Sequence, residues 1–192
     1  MSLEQPGPDK LAMTITSLEM RARPALSGTP DDLHVERIRQ PSVGFYRSLY
    51  ASVGEDWLWS DRRRWSDDHL ASVVQHEAVE LWLLHVDGQP AGYAELDGRQ
   101  PHETELAYFG LLPAYIGRGL GPRLLRFAIE KAWRRAIDRL WVHTCNFDHP
   151  AALGLYRRCG FVVFAEDTHW IDDPRRTGLI RSEAAPHIPG SG

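Results

Sequence analysis

A run of glycines between a strand-like segment and a helix-like segment is the part of this sequence whose residue types and spacing most clearly indicate chemistry. The glycines alternate with larger residues at Gly117, Gly119 and Gly121. Pro122 follows at a position where a helix needs no backbone N–H. Bare N–H groups at the positive end of a helix dipole form a concave site for a phosphate or pyrophosphate. Three arginines add positive charge nearby, at Arg118, Arg123 and Arg126.

Two common phosphate-binding loops do not fit this glycine spacing. The loop lacks the Gly-Lys-Ser/Thr ending of one class, and its glycines are not spaced as G-x-G-x-x-G, the pattern of the other class. A glycine turn that only connects a strand to a helix stays open as a structural interpretation.

Two segments, in this order along the chain, resemble the GNAT superfamily of acetyl-CoA-dependent N-acetyltransferases. The first is similar to the family's acetyl-CoA loop, Gln/Arg-x-x-Gly-x-Gly/Ala. In the family this loop follows a strand whose last residues are an apolar residue, any residue and Pro. The matching segment here is Leu111-Leu-Pro-Ala-Tyr-Ile-Gly-Arg-Gly-Leu-Gly. The second, Ala152-Leu-Gly-Leu-Tyr-Arg-Arg-Cys-Gly-Phe161, is similar to a late helix that ends Leu-Tyr-x-x-x-Gly-Phe. The resemblance covers residues 81–164.

The resemblance implies that acetyl-CoA is the co-substrate and that no metal is needed. It implies that backbone groups hold the acetyl carbonyl and the pantetheine arm at Phe109, Gly110 and Leu111. The residues that it assigns to the pyrophosphate are Gly117, Arg118, Gly119, Leu120, Gly121, Pro122 and Arg123. The nine histidines show no metal-ligand spacing of their own.

Acetyl transfer from a thioester to an amine releases a thiolate that a nearby acid can protonate. Tyr156 occupies the tyrosine position of the late-helix motif, so the resemblance implies that it is this acid. Transfer from a tyrosine of pKa ~10 to a thiolate of pKa ~8.5 is uphill by only ~2 kcal/mol. The alternative is a tyrosine that packs on the inner face of its helix with its hydroxyl bonded locally.

The acceptor amine must be neutral when it attacks, which for a lysine-like pKa of ~10.4 costs roughly 4.6 kcal/mol at pH 7. Glu105 is our candidate base, because the histone-acetylating branch of the family carries its catalytic Glu at this position before the loop. Other branches place a Glu on the following strand, where this chain has Thr144. A solvated Glu105, or one that binds substrate charge, stays open.

The chain departs from the family pattern at two positions. Ile116 stands where the loop usually opens with Gln or Arg, so any contact from that side chain is missing. His149 stands where the late helix usually begins with Asn, and Asn146 lies three positions earlier. Either residue is a candidate contact for the pantetheine, and His149 is equally a candidate for starting the helix.

The early part of the chain, which forms the acceptor side in GNAT proteins, is aromatic and acidic. Its tryptophans are Trp57, Trp59 and Trp65, and its carboxylates are Glu55, Asp56 and Asp61. Such a wall suits an amine cation. A connection that packs its tryptophans on the core is the alternative, and Trp141 and His143 are equally ambiguous.

Length and composition set the limits for these interpretations. The chain has 192 residues, 43% of them hydrophobic and 25% charged, which is typical of one globular domain. Its net charge of −4 argues against a nucleic-acid partner. No apolar run is long enough to span a membrane and no signal peptide is recognisable, so we expect no membrane partner and a cytoplasmic location. Cys145 and Cys159 indicate neither a disulfide framework nor a zinc site.

Hydrophobic periodicity predicts the elements that position these residues. It predicts strands over 11–23, 80–86, 90–96, 103–111, 140–145 and 161–165 and helices over 41–52, 66–76, 122–137 and 150–158. The apolar face of the helix after the loop is predicted as Leu124, Leu125, Ala128, Ile129, Ala132 and Ala136. We expect a flexible N-terminus over 1–10, one N-acetyltransferase domain over 11–181 and a disordered tail over 182–192.

This order of elements predicts a single-domain α/β fold. The resemblance adds a mixed, mostly antiparallel sheet of six or seven strands flanked by helices, in which two parallel strands splay apart at the acetyl-CoA site.

The predicted function is transfer of an acetyl group from acetyl-CoA directly to a primary amine, with a small molecule as the acceptor. Two alternatives stay open. One is acetylation of a protein N-terminus or lysine, which needs an open groove. The other is a non-catalytic CoA-binding module, which the departures at Ile116 and His149 favour. A homodimer is also left open.

Overall fold

The computed structural model describes residues 9–25 and 33–189. Within these ranges the strands are β1 Lys10–Met20, β2 His34–Ile38, β3 Val79–Val86, β4 Gln89–Asp97, β5 Glu103–Leu111, β6 Arg139–Cys145 and β7 Val162–Asp172. The helices are α1 Val43–Gly54, α2 Asp67–Val74, α3 Leu120–Ala132 and α4 Ala152–Arg158. Between α1 and α2, the chain forms two short 3₁₀ turns, Glu55–Trp57 and Asp61–Arg63.

All seven strands belong to one sheet with the order β2-β3-β4-β5-β6-β1-β7. Every neighbouring pair is antiparallel except β5 and β6, which are parallel. The expected α/β fold with a mixed, mostly antiparallel sheet is therefore confirmed. β1 lies between β6 and β7, so the chain's first described strand is hydrogen-bonded to its last.

The parallel strands separate soon after they meet. Their ladder joins Glu103 to Arg139 and ends where Glu105 is opposite Trp141. On its other side, β5 contains an irregularity in its pairing with β4, next to Leu96. Such a bulge adds an unpaired residue and bends the strand. A gap therefore opens between β5 and β6 along the second half of each strand.

Helices cover both faces of the sheet. On one face, α3 and α4 pack against the β-strands, and the buried residues of α3 follow helical spacing at Leu124, Leu125, Ala128, Ile129 and Ala132. On the other face, α1 and α2 bury Tyr46, Leu49, Tyr50, Val53, Leu70 and Val74. Burial of each such leucine contributes ~1.5–3 kcal/mol relative to exposure.

Several predicted boundaries were wrong. Helix α3 begins at Leu120, before Pro122, and ends at Ala132, so Ala136 is exposed instead of lying on the apolar face. The chain after Ala132 continues in tight turns, in which helical periodicity no longer applies. Strand β7 extends to Asp172, because β1 pairs with it along its whole length.

The two chain ends also differ from the expectation. Residues 1–8 and 190–192 lie outside the described part of the chain, and Lys10 already belongs to β1. Residues 182–189 were expected in a disordered tail, but Ala184, Ala185 and Ile188 are buried against Leu11. The Arg175 guanidinium holds this segment by donating to three backbone carbonyls, those of Ala185, Ile188 and Pro189.

The close packing of Trp59 on helix α1 generates a stability prediction. A Cβ on Gly54 would overlap the Trp59 side chain, whereas a Cβ on Gly44, in the same helix, would have nothing within 4 Å. We expect Gly54→Ala to lower the free energy of unfolding by ~1–3 kcal/mol, measured by urea denaturation. The control Gly44→Ala should leave it unchanged or raise it by up to ~1 kcal/mol. Equal changes in the free energy of unfolding for the two variants would contradict the close packing of Trp59 on Gly54.

Candidate active site

A cleft of about 460 Å³ opens where β5 and β6 diverge. One end reaches the glycine loop, where Gly117, Gly119 and Gly121 line it. The other end reaches the segment between α1 and α2, where Trp57 and Trp59 line it. The cleft therefore connects the predicted anion-binding loop to the predicted acceptor region through the gap in the sheet.

The glycine loop presents open backbone to this cleft. Gly117 and Gly119 have φ values of 82° and 74°, and nothing lies within 4 Å of a Cβ built on either. Helix α3 begins directly after Gly119. The first N–H groups of a helix have no intrahelical partner and are available to an anion. These features fit a pyrophosphate group.

Eight of the twelve predicted site residues line the cleft: Phe109, Gly110, Leu111, Gly117, Gly119, Gly121, Pro122 and Tyr156. The other four do not. Arg118 stacks its guanidinium over the Tyr115 ring at 5.0 Å. Leu120 is buried in the core, and Arg123 lies in the first turn of α3. Glu105 lies beside the cleft and contacts His143, which lines it.

Tyr156 lies on α4 with 5% of its surface exposed. Its ring packs edge-on against Phe109 and Phe161, at centroid distances of 6.1 and 5.9 Å. Burial, together with the charge of Asp148, raises the pKa of Tyr156 above its usual range. The hydroxyl is therefore protonated and available as a donor at neutral pH.

Glu105 contacts His143, which lines the cleft. The distance from His143 Nδ1 to Glu105 Oε1 is 3.2 Å. This hydrogen bond is the main cause that raises the pKa of His143, and the charges of Glu105, Asp148 and Asp61 add to it. Because Nδ1 is engaged by Glu105, Nε2 is the ring nitrogen left to exchange a proton in the cleft.

Sequence reasoning left His143 ambiguous, because its pairing with Glu105 follows from the register of the parallel ladder, which the sequence does not reveal. In the parallel ladder Glu105 is opposite Trp141, and side chains two residues apart on a strand share a face. His143 therefore lies diagonally opposite Glu105. Trp141 itself does not line the cleft.

Asp148 connects the two sides of the cleft and was not predicted. Its Oδ1 accepts from Trp59 Nε1 at 3.0 Å. Its Oδ2 accepts from Thr144 Oγ1 at 2.7 Å and from the backbone N–H of Cys145 at 2.9 Å. The loop after β6 is thereby fixed to the aromatic segment between α1 and α2.

Asn146 and His149, the two residues considered in place of the family's usual Asn, lie in different places relative to the cleft. Asn146 does not line the cleft, because its amide bonds to the backbone of Thr14 and Ala12 and so holds β1. His149 lines the cleft, and its Nδ1 accepts from the backbone N–H of Ala151 at 3.1 Å. His149 is thus both a local structural residue at the start of α4 and a candidate ligand contact.

Two other lining residues limit the chemistry. Ile116 presents an apolar side chain at the glycine loop, in place of the amide or guanidinium that the family usually has there. Burial raises the pKa of Cys145 to about 12. Its thiol is therefore protonated at neutral pH and unsuited to act as a nucleophile.

The predicted aromatic and acidic wall is only partly present in the cleft. Trp57, Trp59 and Asp61 line it, whereas Trp65 stacks on the Arg62 guanidinium at 4.4 Å. Glu55 is engaged outside the cleft by Arg181 at 3.0 Å.

A buried ion pair supports this wall from behind. Arg62 donates to Glu95 Oε1 at 2.7 Å, and the Tyr46 hydroxyl donates to Glu95 Oε2 at 2.6 Å. The same guanidinium lies 4.9 Å from the centroid of the Tyr108 ring, which lines the cleft. Burial raises the pKa of Glu95, an effect that the Arg62 charge opposes.

Across residues 9–25 and 33–189, no cluster of three or more histidine, cysteine or acidic side chains could hold a metal ion. In the same part of the chain, no helix is both long and apolar enough to cross a membrane.

A profile of the Acetyltransferase (GNAT) family matches residues 45–161, more than half of this chain. The chain is 45% identical over 71 residues to the N-alpha-acetyltransferase RimI of Mycobacterium tuberculosis, a match that covers 37% of this chain and 42% of that relative. It is 37% identical over 81 residues to a mycothiol acetyltransferase of Acidothermus cellulolyticus, covering 42% of this chain and 23% of that one. The matches thus span less than half the length of both curated relatives.

A solved structure shares the fold. A Bacillus subtilis acetyltransferase crystallised in complex with CoA superposes with a TM-score of 0.54 at 24% identity, over 70% of this chain and 79% of that chain. The family match, the fold and the cleft between two diverging parallel strands lead to one conclusion: this chain belongs to the GNAT family of acetyltransferases and is an acyltransferase.

Proposed function

We propose that this chain transfers an acetyl group from acetyl-CoA directly to the primary amine of a small molecule. The observation that carries the proposal is the cleft itself, which joins an open glycine loop to an aromatic chamber through the gap between β5 and β6. Tyr156 and His143 both line it, one on α4 and one on β6. An acid and a base therefore border the space in which a thioester and an amine would meet.

The donor side has the groups that an acyl-CoA requires. The glycine loop and the start of α3 would hold the pyrophosphate, with Arg118, Leu120 and Arg123 contributing backbone N–H groups or charge at the rim. Beyond Glu105, the edge of β5 that faces β6 has no ladder partner. Backbone groups of Phe109, Gly110 and Leu111 would therefore be available to the pantetheine arm and to the oxyanion that develops on the acetyl carbonyl.

The acceptor amine would lose its proton to the Glu105–His143 pair. His143 accepts the proton, and Glu105 stabilises the imidazolium that results, because its carboxylate lies 3.2 Å from Nδ1. A base whose pKa is raised toward the working pH is well matched to this task. We therefore propose the Glu105–His143 pair as the base, in place of Glu105 alone.

Tyr156 would assist the leaving thiolate. As the new C–N bond forms and the C–S bond breaks, its hydroxyl donates a hydrogen bond to sulfur. Because burial raises the pKa of Tyr156, complete proton transfer is more uphill than from an unperturbed tyrosine. Hydrogen-bond donation as the negative charge develops is therefore the larger part of its role.

The transfer is direct, since the half-buried Cys145 thiol, whose pKa is raised, is a poor nucleophile. Acetylation of a protein N-terminus is the second candidate function, and the 45% identity to an N-alpha-acetyltransferase favours it. Thiol release from acetyl-CoA, measured with a panel of small amines and with peptides, separates the two functions. Release that depends on small amines supports the proposal, and release with peptides alone would replace it.

The glycine loop generates the first prediction here. Gly119→Ala adds a methyl group to the surface where the pyrophosphate would lie, so we expect acetyl-CoA to bind ~10-fold or more weakly by calorimetry, the equivalent of one lost charge-assisted hydrogen bond. Gly178→Ala is the matched control, because Gly178 has a φ of 75° against 74° at Gly119 and nothing within 4 Å of its Cβ. Both variants pay the same backbone strain, ~1–2 kcal/mol. Equal affinities would place the pyrophosphate elsewhere.

The second prediction concerns Tyr156, the proposed acid. We expect Tyr156→Phe to lower kcat ~10²-fold or more while the affinity for acetyl-CoA stays unchanged, because only the hydrogen bond to the leaving sulfur is lost. Thiol-release kinetics and calorimetry measure the two quantities. Tyr115→Phe, which keeps the ring on which Arg118 stacks, should leave both unchanged. Unaltered turnover in Tyr156→Phe would remove the assignment.

The third prediction concerns the Glu105–His143 pair, the proposed base. His143 accepts a proton only when it is neutral, and the hydrogen bond that its Nδ1–H donates to Glu105 raises its pKa. Glu105→Gln should therefore lower the pKa of His143 and move the acidic limb of the kcat/KM profile to lower pH. NMR titration of the imidazole should show the same direction of change.

Glu103→Gln is the control for this shift. It removes the same charge from the same strand, but Glu103 bonds Arg139 and does not line the cleft. An acidic limb that stays in place in Glu105→Gln would contradict the coupling, and one that disappears would make Glu105 itself the base.

A further inference from the structure

The acceptor side of the cleft is a chamber whose walls are mainly aromatic. Tyr50, Trp59 and Tyr108 contact one another with ring centroids 5.1 to 5.5 Å apart. Met13 and Ile15 of β1 line the opposite side. These walls offer a substrate large apolar surfaces and few groups that can exchange hydrogen bonds.

The walls are also held in fixed positions. Trp59 is tied to Asp148 by its indole N–H, and its ring packs against Gly54 and Gly110, where a Cβ would meet Trp59 or Val53. Trp57, at the chamber mouth, lies between the rings of His149 and His187, at centroid distances of 5.2 and 5.1 Å. A preformed chamber selects by shape, because little of it can rearrange around a different substrate.

The polar groups of the chamber are mostly engaged within the protein. Both oxygens of Asp148 accept hydrogen bonds from protein donors. The Tyr50 hydroxyl accepts from the backbone N–H of Arg62. Two groups that can take a proton from an ammonium or attract its charge are left for a substrate. One is the Nε2 nitrogen of His143. The other is the Asp61 carboxylate, for which the described residues provide no hydrogen bond or ion pair.

From these walls and these two free groups we infer that the acceptor is a primary amine on a compact aromatic or apolar body. The inference rests on the proposed acetyl transfer and specifies its substrate class. Asp61 attracts the ammonium at the chamber mouth, and the ring faces accept the cation and then the apolar body. His143 takes the proton before the nitrogen attacks. Hydroxyl groups on an amino sugar would face these rings without partners, which disfavours such substrates.

The size of the chamber agrees with this class. The whole cleft, about 460 Å³, must contain the thioester end of the donor as well as the acceptor. Pockets for single drug-sized ligands already span roughly 300–1,000 Å³. The part of the acceptor that shares this space with the donor is therefore small, as a primary amine on a compact ring is.

The test compares three probes of different chemistry in thiol-release assays: 2-phenylethylamine, glucosamine and a short peptide with one lysine and a free N-terminus. We expect kcat/KM for 2-phenylethylamine to exceed both others by ~10-fold or more. Quenching of tryptophan fluorescence by 2-phenylethylamine, with CoA present, gives a readout independent of turnover. This quenching should be reduced in Trp57→Leu.

Substitutions in the chamber test whether its residues cause the preference for 2-phenylethylamine. Trp57→Leu and Asp61→Asn should each raise KM for 2-phenylethylamine ~10-fold, with acetyl-CoA affinity unchanged. Trp170→Leu is the control, because Trp170 is exposed on β7 and lies outside the cleft, so it should change neither quantity.

The possible outcomes separate the substrate class from the reaction. A preference for glucosamine or the peptide would overturn the substrate class and leave the acetyl transfer standing. Equal kinetics in Trp57→Leu and Trp170→Leu would also overturn it. Binding of acetyl-CoA without thiol release for any probe would overturn the proposed function and this inference with it.

Discussion

The short ladder between β5 and β6 is the constraint on which the rest of the site depends. Three residue pairs hold the parallel strands together, and beyond Glu105 the strands diverge because β5 bends at its irregular pairing with β4. The break leaves β5 backbone groups without a strand partner. Buried backbone groups without partners are costly, so a ligand that supplies hydrogen bonds gains most at this edge. The same divergence brings α3 and α4 to one side of the gap and α1 to the other.

A gap in a sheet is useful only if its two sides keep their separation, and one contact across this cleft and one ion pair behind its wall help to keep it. Asp148 bonds both to the end of β6 and to Trp59, so the segment between α1 and α2 cannot move independently of the strand. Behind the aromatic wall, the Arg62–Glu95 pair is buried, and removal of either partner would leave an uncompensated charge. The Arg62–Glu95 pair that supports the wall is thus made of other residues than the Glu105–His143 pair at the cleft.

The residues that line the cleft at the glycine loop and on α4 could be predicted from the sequence, because local motifs mark them. The glycine-loop motif marks the turn before α3 and the late-helix motif marks Tyr156, through their resemblance to the family and without knowledge of the tertiary structure. The Glu105–His143 pair could not be derived in the same way, since it depends on a parallel register set by the α3 crossover. The insertion of β1 between β6 and β7 is a pairing across most of the chain, which periodicity cannot reveal. Burial of Ala184, Ala185 and Ile188 depends on distant contacts of the same kind, since the polar composition of residues 182–189 alone suggests disorder.

The family profile matches residues 45–161, which contain the glycine loop, Tyr156, His143 and the tryptophans of the chamber. Parts outside this range complete the end of the cleft where we propose that the acceptor binds: Met13 and Ile15 come from β1, and His187 packs on Trp57 from the C-terminal segment. A change in these outer parts would reshape the chamber while leaving the loop and the strand gap intact. Under the proposed function, a change of acceptor therefore need not alter the donor site, because part of the chamber wall comes from stretches of chain outside the matched range.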